Sequence, residues 1–120
     1  MAAELPIPGF FDPNTIGELR RVPYQERAAQ ARAWSLEQGI KPAVQDERRL
    51  ALVLIDVQNT FCLPGFGLYV GGEGERGPVA DNRRLCLFLY RNLHRITTIT
   101  ATMDTHRSLQ IFHERFLVGP

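Results

Sequence analysis

The chain has 120 residues, enough for one small domain, and its 44% apolar and 22% charged residues are ordinary for a globular protein. A formal net charge of +1 gives no electrostatic case for binding nucleic acid or an anionic membrane. Two cysteines exclude a disulfide-rich scaffold, and no apolar run approaches the ~20 residues that span a bilayer. Unpaired thiols favour a cytoplasmic location, because a reducing compartment keeps them free.

The first 47 residues are predicted to form an extended arm followed by a helix. Several prolines occur within residues 1–23, and proline disfavours both helix interiors and sheet ladders. Tyr24 to Gln38 is predicted to be a helix because it is rich in strong helix formers and is followed by Gly39 as a C-terminal cap. Its apolar face is thin, with Trp34 as the one large ring, so we expect the helix to lie on another element or on a partner subunit.

A βαβ unit is predicted for the following residues. Leu50 to Ile55 is nearly continuous aliphatic sequence, which is typical of a strand buried on both faces of a parallel sheet. A glycine-rich loop over 59–79 follows, and a helix capped by Asp81 or its neighbour runs to about His94. Ile96 to Thr102 is β-branched and is predicted to be the next strand. The strand–helix–strand order indicates a right-handed crossover between parallel strands.

Polar side chains follow the first predicted strand. Asp56 ends it, and an acid at this place serves as a general base, a metal ligand or the cap of a following turn. Gln58 is suited to orient Asp56 or a substrate, or alternatively to serve as a loop residue that bonds backbone. Because ligands of open α/β sheets bind outside the carboxyl ends of the strands, the pattern predicts an active-site edge here.

Asp104, His106 and His113 form a candidate metal set after the second strand. Carboxylate oxygen and imidazole nitrogen suit Zn²⁺ or a similar divalent ion, and the Asp-x-His spacing places both side chains on one side of an extended segment. His113 lies seven residues beyond His106 and must fold back to join them. The alternative is a turn at Asp104, with His113 packed beside the neighbouring phenylalanines.

Two further patterns are weaker indications of a functional site. Gly72, Gly74 and Gly77 spell G-x-G-x-x-G, but they do not follow directly on a strand, so no nucleotide cofactor is predicted. Cys86 lies inside the predicted helix and is interpreted as a packing residue. Cys62 lies in a loop with no histidine or lysine near it in sequence, which does not favour nucleophilic catalysis.

The chain resembles the N-terminal half of the isochorismatase-like cysteine hydrolases, a superfamily that includes the nicotinamidases. The resemblance covers roughly residues 48 to 118. It rests on LVLIDVQNTFC at 52–62, the Gly-Gly pair at 71–72, the helix starting near Asp81, and TMDTHRSLQIFH at 102–113. It implies a three-layer, Rossmann-like α/β fold with a mainly parallel sheet. Residues 48–120 would be the N-terminal part of that domain, and residues 1–47 a preceding arm and helix.

Members of this superfamily cleave amide, C–N or related bonds of small molecules through a covalent cysteine intermediate, with an Asp–Lys–Cys triad. By resemblance, Asp56 is the aspartate that takes the proton from the thiol, and we expect Gln58 and Phe61 to contact the substrate. Asp104 and His106 match the Asp-x-His that binds a divalent metal in nicotinamidase-type members, with His113 as a third ligand.

The lysine and the nucleophilic cysteine of the triad have no match in this chain. Lys41 is the only lysine, and it precedes the first predicted strand. The sequence therefore predicts part of a hydrolase whose nucleophile and lysine come from a missing segment, a companion chain or a homo-oligomer that also completes the sheet. The alternatives are a non-catalytic assembly module that keeps half of the fold, and a metal-only hydrolase that uses Asp104 and the two histidines after it.

Overall fold

A computed structural model describes residues 3–105 of the chain, apart from the side chain of Glu73, and shows a small α/β protein. Its helices and strands are α1 (Tyr24–Glu37), β1 (Ala51–Leu54), α2 (Asn59–Cys62), α3 (Gly77–Asn92) and β2 (Thr98–Ala101), with short 3₁₀ turns between them. Within this part of the chain, no helix is long and apolar enough to cross a membrane.

The sheet consists of β1 and β2, which pair in parallel with Ala51 opposite Thr98. Beyond the last paired residues, the N–H of Thr102 donates to the carbonyl of Leu54 at 2.8 Å and continues the pairing toward the carboxyl edge. Parallel strands need a crossover connection, and α3 provides it. The predicted strand–helix–strand order is confirmed, with each strand shorter than the apolar run that predicted it.

One face of the sheet is left uncovered by the described residues. Side chains alternate between the two faces along each strand, so Ala51, Val53 and Ile55 share a face with Thr98 and Thr100. All five are exposed, Val53 to 55% and Ile55 to 71%. The two leucines of β1 on the opposite face are half-buried. The prediction of a strand buried on both faces is therefore wrong here, because only one face of β1 packs against the rest of the chain.

The C-terminus of α1 forms as the sequence predicts. Gly39 has a φ of 63°, in the left-handed region that glycine adopts without steric cost. Its N–H donates to the carbonyl of Leu36 at 3.1 Å, and the N–H of Ile40 donates to the carbonyl of Ser35 at 3.0 Å. Two carbonyls that the helix end would otherwise leave unpaired are thereby satisfied.

An aromatic cluster attaches the arm and α1 to α3. It comprises Phe10 and Phe11 of the arm, Trp34 of α1 and Tyr90 of α3, whose neighbouring ring centroids lie 4.9 to 6.5 Å apart. Most of these ring pairs meet edge to face, a geometry that aromatic quadrupoles favour. Helix α1 therefore lies on other elements of the same chain, with Trp34 only 8% exposed. Its contact with a partner subunit stays a prediction.

The arm is held against α3 at further points along its length. The N–H of Leu5 donates to the carbonyl of Arg91 at 2.9 Å, and Pro8 is fully buried. Gly17 has a φ of 97° and passes so close to α3 that a Cβ atom there would lie 2.8 Å from Cγ1 of Val79. The arm therefore shares its core with α3.

The start of α3 differs from the prediction. The helix begins at Gly77, four residues before Asp81, whereas the sequence predicts Asp81 or Asn82 as its cap. Asp81 lies inside the helix and forms an ion pair with Arg84 on the next turn. Pro78 explains the earlier start, because a first helical turn leaves its N–H groups unpaired and so tolerates a residue that has none.

Replacement of Trp34 by alanine is expected to lower the free energy of unfolding by about 3 kcal/mol, because it removes a buried ring that packs against Phe10 and Tyr90. Leu36→Ala on the same helix is the matched control, since Leu36 is 76% exposed and its loss should cost less than about 0.5 kcal/mol. Urea unfolding followed by circular dichroism measures both. Equal losses from the two variants would contradict the packing of α1 described above.

Candidate functional site

The carboxyl ends of β1 and β2 bring Asp56 and Thr102 together. The N–H of Asp56 donates to Oγ1 of Thr102 at 3.1 Å, and the Thr102 hydroxyl donates to Oδ1 of Asp56 at 3.3 Å. One hydroxyl therefore fixes both the main chain and the carboxylate of Asp56. Parallel strands end at the same edge of a sheet, which is why residues far apart in the sequence meet here.

The main chain turns sharply at Asp56, directly after the sheet. Its φ of 57° lies in the left-handed region, which aspartate tolerates better than most residues with a side chain. The N–H of Gln58 donates to the carbonyl of Asp56 at 2.9 Å and closes a tight turn into α2. The side chain of Asp56 is exposed, so its carboxylate is accessible to a group that presents a proton.

Gln58 bridges the two strand ends with its side-chain amide. Its Nε2 donates to the carbonyl of Asp104 at 3.1 Å, and its Oε1 accepts from the N–H of Asp104 at 2.8 Å. The amide thus pairs with the main chain as a peptide group of a neighbouring strand would. Of the predicted alternatives for Gln58, the structure shows backbone bonding, and its contact with a substrate stays a prediction.

Asp104 lies at the same edge as Asp56. Its Oδ1 accepts the N–H of Thr105 at 2.8 Å, and a carboxylate is a suitable ligand for Zn²⁺. No group of three potential metal-binding side chains occurs among residues 3–105. The other two predicted ligands, His106 and His113, lie outside the described residues, so the metal set stays a prediction.

The short helix α2 carries Phe61 and Cys62 behind the turn at Asp56. Phe61 is half-buried, and its carbonyl accepts the N–H of Val70 at 3.2 Å. Its predicted contact with a substrate stays a prediction. Sγ of Cys62 lies 3.9 Å from the carbonyl oxygen of Asp56, a contact in which the thiol acts as a weak hydrogen-bond donor. The structure thus gives Cys62 a packing role in the turn.

A cleft of about 350 Å³ lies between the arm, α2 and α3, and both cysteines line it. Both are free thiols. Burial raises the pKa of the Cys86 thiol, which keeps it protonated and weakly nucleophilic near neutral pH. The interpretation of Cys86 as a packing residue on α3 agrees with this environment.

Thr102 is the site residue that the sequence analysis missed. Its partner Asp56 lies 46 positions earlier, so no local spacing relates the two. Threonine is also a common β-branched strand residue, so its presence at position 102 does not by itself indicate a role for its hydroxyl. The one available signal was its place at the end of a strand parallel to the strand before Asp56.

Comparisons with protein-family models, curated proteins and solved structures found no match. The resemblance to isochorismatase-like hydrolases therefore depends on the sequence motifs alone.

Thr102→Val is expected to speed amide hydrogen exchange at Asp56 about fivefold, because loss of one hydrogen bond costs about 1 kcal/mol. Thr100→Val is the control: the same isosteric change two residues earlier, at an exposed position of β2. Exchange measured by NMR tests both variants. An unchanged Asp56 amide in Thr102→Val would contradict the proposed anchoring of the turn.

In a Cys62→Ser variant, Cys86 is the only thiol, and we expect iodoacetamide to modify it more slowly in the folded chain than in urea. Burial both shields the sulfur and raises its pKa, so the folded-state rate should climb as pH increases and thiolate forms. Mass spectrometry of timed samples measures the rates. Equal rates in the folded and unfolded chain near neutral pH would contradict this environment.

Proposed function

We propose that this chain is the N-terminal part of an isochorismatase-like cysteine hydrolase that cleaves an amide, C–N or related bond of a small molecule. The observation that carries the proposal is the exposed carboxylate of Asp56, anchored by Thr102 at the carboxyl edge of a parallel sheet. Open α/β sheets bind their ligands at this edge. The sequence motifs of the resemblance supply the chemical class.

In this proposal Asp56 is the general base. The Thr102 hydroxyl bonds Oδ1 of its carboxylate, which leaves Oδ2 available to take the proton from the nucleophilic thiol. The resulting thiolate adds to the substrate carbonyl, and the C–N bond breaks as Asp56 returns the proton to the leaving amine. Water then hydrolyses the thioester, which releases the acid and restores the thiol. A carboxylate held in one orientation performs this transfer better than a freely rotating one, because less ordering is needed in the transition state.

The exposed face of the sheet supports the proposal that further polypeptide packs against it. A parallel sheet is stable when both of its faces are covered, and here the face that carries Val53 and Ile55 is exposed. A further segment, a companion chain or a second copy that adds strands beside β1 and β2 and packs a helix on this face would cover it. The same addition would bring the lysine and the nucleophilic cysteine to the edge near Asp56.

The remaining predicted site residues fit this scheme as substrate-side groups. Asp104, His106 and His113 would hold Zn²⁺ or a similar divalent ion that anchors the substrate. Gln58 would keep the main chain of Asp104 in place through its two hydrogen bonds, and Phe61 would line the substrate pocket. The scheme uses no nucleotide cofactor and places the enzyme in the cytoplasm.

A second candidate function is favoured by the same uncovered face. A non-catalytic assembly module would use the exposed side chains of the sheet to bind a partner, without proton transfer by Asp56. A metal-only hydrolase that uses Asp104 and the two histidines is a further alternative. The two hydrolases differ in which treatment abolishes their activity, and the assembly module has no hydrolytic activity.

We expect native and denaturing mass spectrometry of the purified protein to show additional chain that carries a lysine after one strand and a cysteine at a helix start. The assembly should release amine from a panel of small amides. Asp56→Asn should lower this rate by about 10²–10⁴-fold, the range for loss of a general base. Asp81→Asn, an exposed acid on α3, is the matched control and should leave the rate unchanged.

The treatments separate the candidates. Loss of activity on thiol alkylation supports the cysteine hydrolase, whereas activity that survives alkylation and disappears on chelation supports the metal-only enzyme. A defined assembly with no amide hydrolysis supports the assembly module. Full activity of Asp56→Asn would overturn the role proposed for Asp56.

A further inference from the structure

A second cleft, of about 230 Å³, lies where the arm meets the start of α1. Its lining residues are Phe10, Phe11, Arg20, Arg21, Val22, Pro23, Arg27 and Tyr90. Three of the eight carry a guanidinium group, three carry an aromatic ring and none is acidic. This concentration of positive charge contrasts with the formal net charge of +1 for the whole chain.

The acids nearest to this cleft in the sequence are engaged elsewhere. The carboxylate of Asp12 accepts the N–H of Asn14 at 2.9 Å, and Glu26 accepts from Nε2 of Gln30 at 3.3 Å. Glu18 lines the neighbouring cleft between the arm and α2. Among the side chains that the structure describes in residues 3–105, which leave out Glu73, no carboxylate lies within ion-pair distance of any of the three arginines. Their charge is therefore not neutralised within the described chain.

Arg27 is held in place at the wall of the cleft. Its guanidinium donates to the carbonyl of Phe10 and lies 5.1 Å from the centroid of the Phe10 ring. A guanidinium has five N–H donors, so most of them remain available. α1 also begins at this cleft, and Pro23 provides no side-chain cap for its first turn, which adds the positive end of the helix dipole.

We propose that this cleft binds a small phosphate monoester attached to a single flat ring. A phosphate dianion has enough charge and enough acceptor oxygens for several guanidinium groups, whereas a carboxylate has two oxygens and one charge. The rings of Phe11 and Tyr90 provide surfaces on which a flat ring stacks. The volume lies below the roughly 300–1,000 Å³ of pockets for drug-sized ligands, which suits one ring and excludes a dinucleotide.

Isothermal titration calorimetry with three probes tests the two halves of this ligand. Phenyl phosphate carries both the ring and the phosphate, inorganic phosphate carries the charge alone, and phenol carries the ring alone. We expect phenyl phosphate to bind at least about tenfold more tightly than inorganic phosphate, since a stacked ring contributes about 1 kcal/mol or more. Phenol should give no measurable heat.

Arg20→Gln and Arg21→Gln should each weaken phenyl phosphate binding about tenfold, as expected for the loss of one charge-assisted hydrogen bond. Arg32→Gln is the matched control, because it removes the same charge from an exposed position of α1 outside the cleft. It should change the affinity less than about twofold, the scale of a screened surface charge. Arg27 is left intact because it holds Phe10, and urea unfolding confirms that each variant keeps its fold.

Three results would overturn the proposal. One is the absence of phenyl phosphate binding to the unaltered chain. Another is equal affinity for phenyl phosphate and inorganic phosphate, which would mean that the rings play no part. The third is an equal loss of binding in Arg32→Gln and in the cleft variants, which would indicate a diffuse charge effect.

Discussion

The parallel pairing of β1 with β2 is the interaction on which the candidate site depends. Both strands end at one edge of the sheet, so the turn after β1 lies beside the residues that follow β2. Two side chains then join the ends: Thr102 bonds Asp56, and Gln58 bonds the main chain of Asp104. Since each contact spans 46 positions, a shift of the register by one residue would separate all of them.

The aromatic cluster has a comparable role on the other part of the chain. By joining Phe10, Trp34 and Tyr90, it holds the arm and α1 against α3. Both clefts have a wall formed by this arm, and Arg20 lines each of them. The arm is thus a shared structural element of two cavities as well as a packing surface.

The incomplete sheet and the incomplete chemistry have one physical origin in the proposed function. A parallel sheet needs further strands and covering helices to bury its apolar faces. In an α/β hydrolase, the ends of those same strands carry the remaining catalytic groups. In the proposed function, further chain at this sheet would account both for the exposed side chains of Val53 and Ile55 and for the unmatched lysine and cysteine.

Local sequence predicted the elements whose formation depends on neighbouring residues. Helix α1 and its cap at Gly39, the two strands and the position of Asp56 just beyond β1 follow from propensity, hydrophobic pattern and chain order. The start of α3 was misplaced because two start signals compete within a few residues. The sequence predicts a helix cap at Asp81 or its neighbour, whereas the helix starts earlier, with Pro78 in its first turn.

Tertiary structure alone decided which side chains meet. The hydroxyl of Thr102 and the amide of Gln58 find their partners through the register of the sheet, which no short spacing in the sequence encodes. The arginine-lined cleft likewise combines residues of the arm, α1 and α3 that packing around Trp34 brings together. Sequence pattern records which residues are apolar or turn-forming, but contacts between distant residues are selected by the packing of the whole chain.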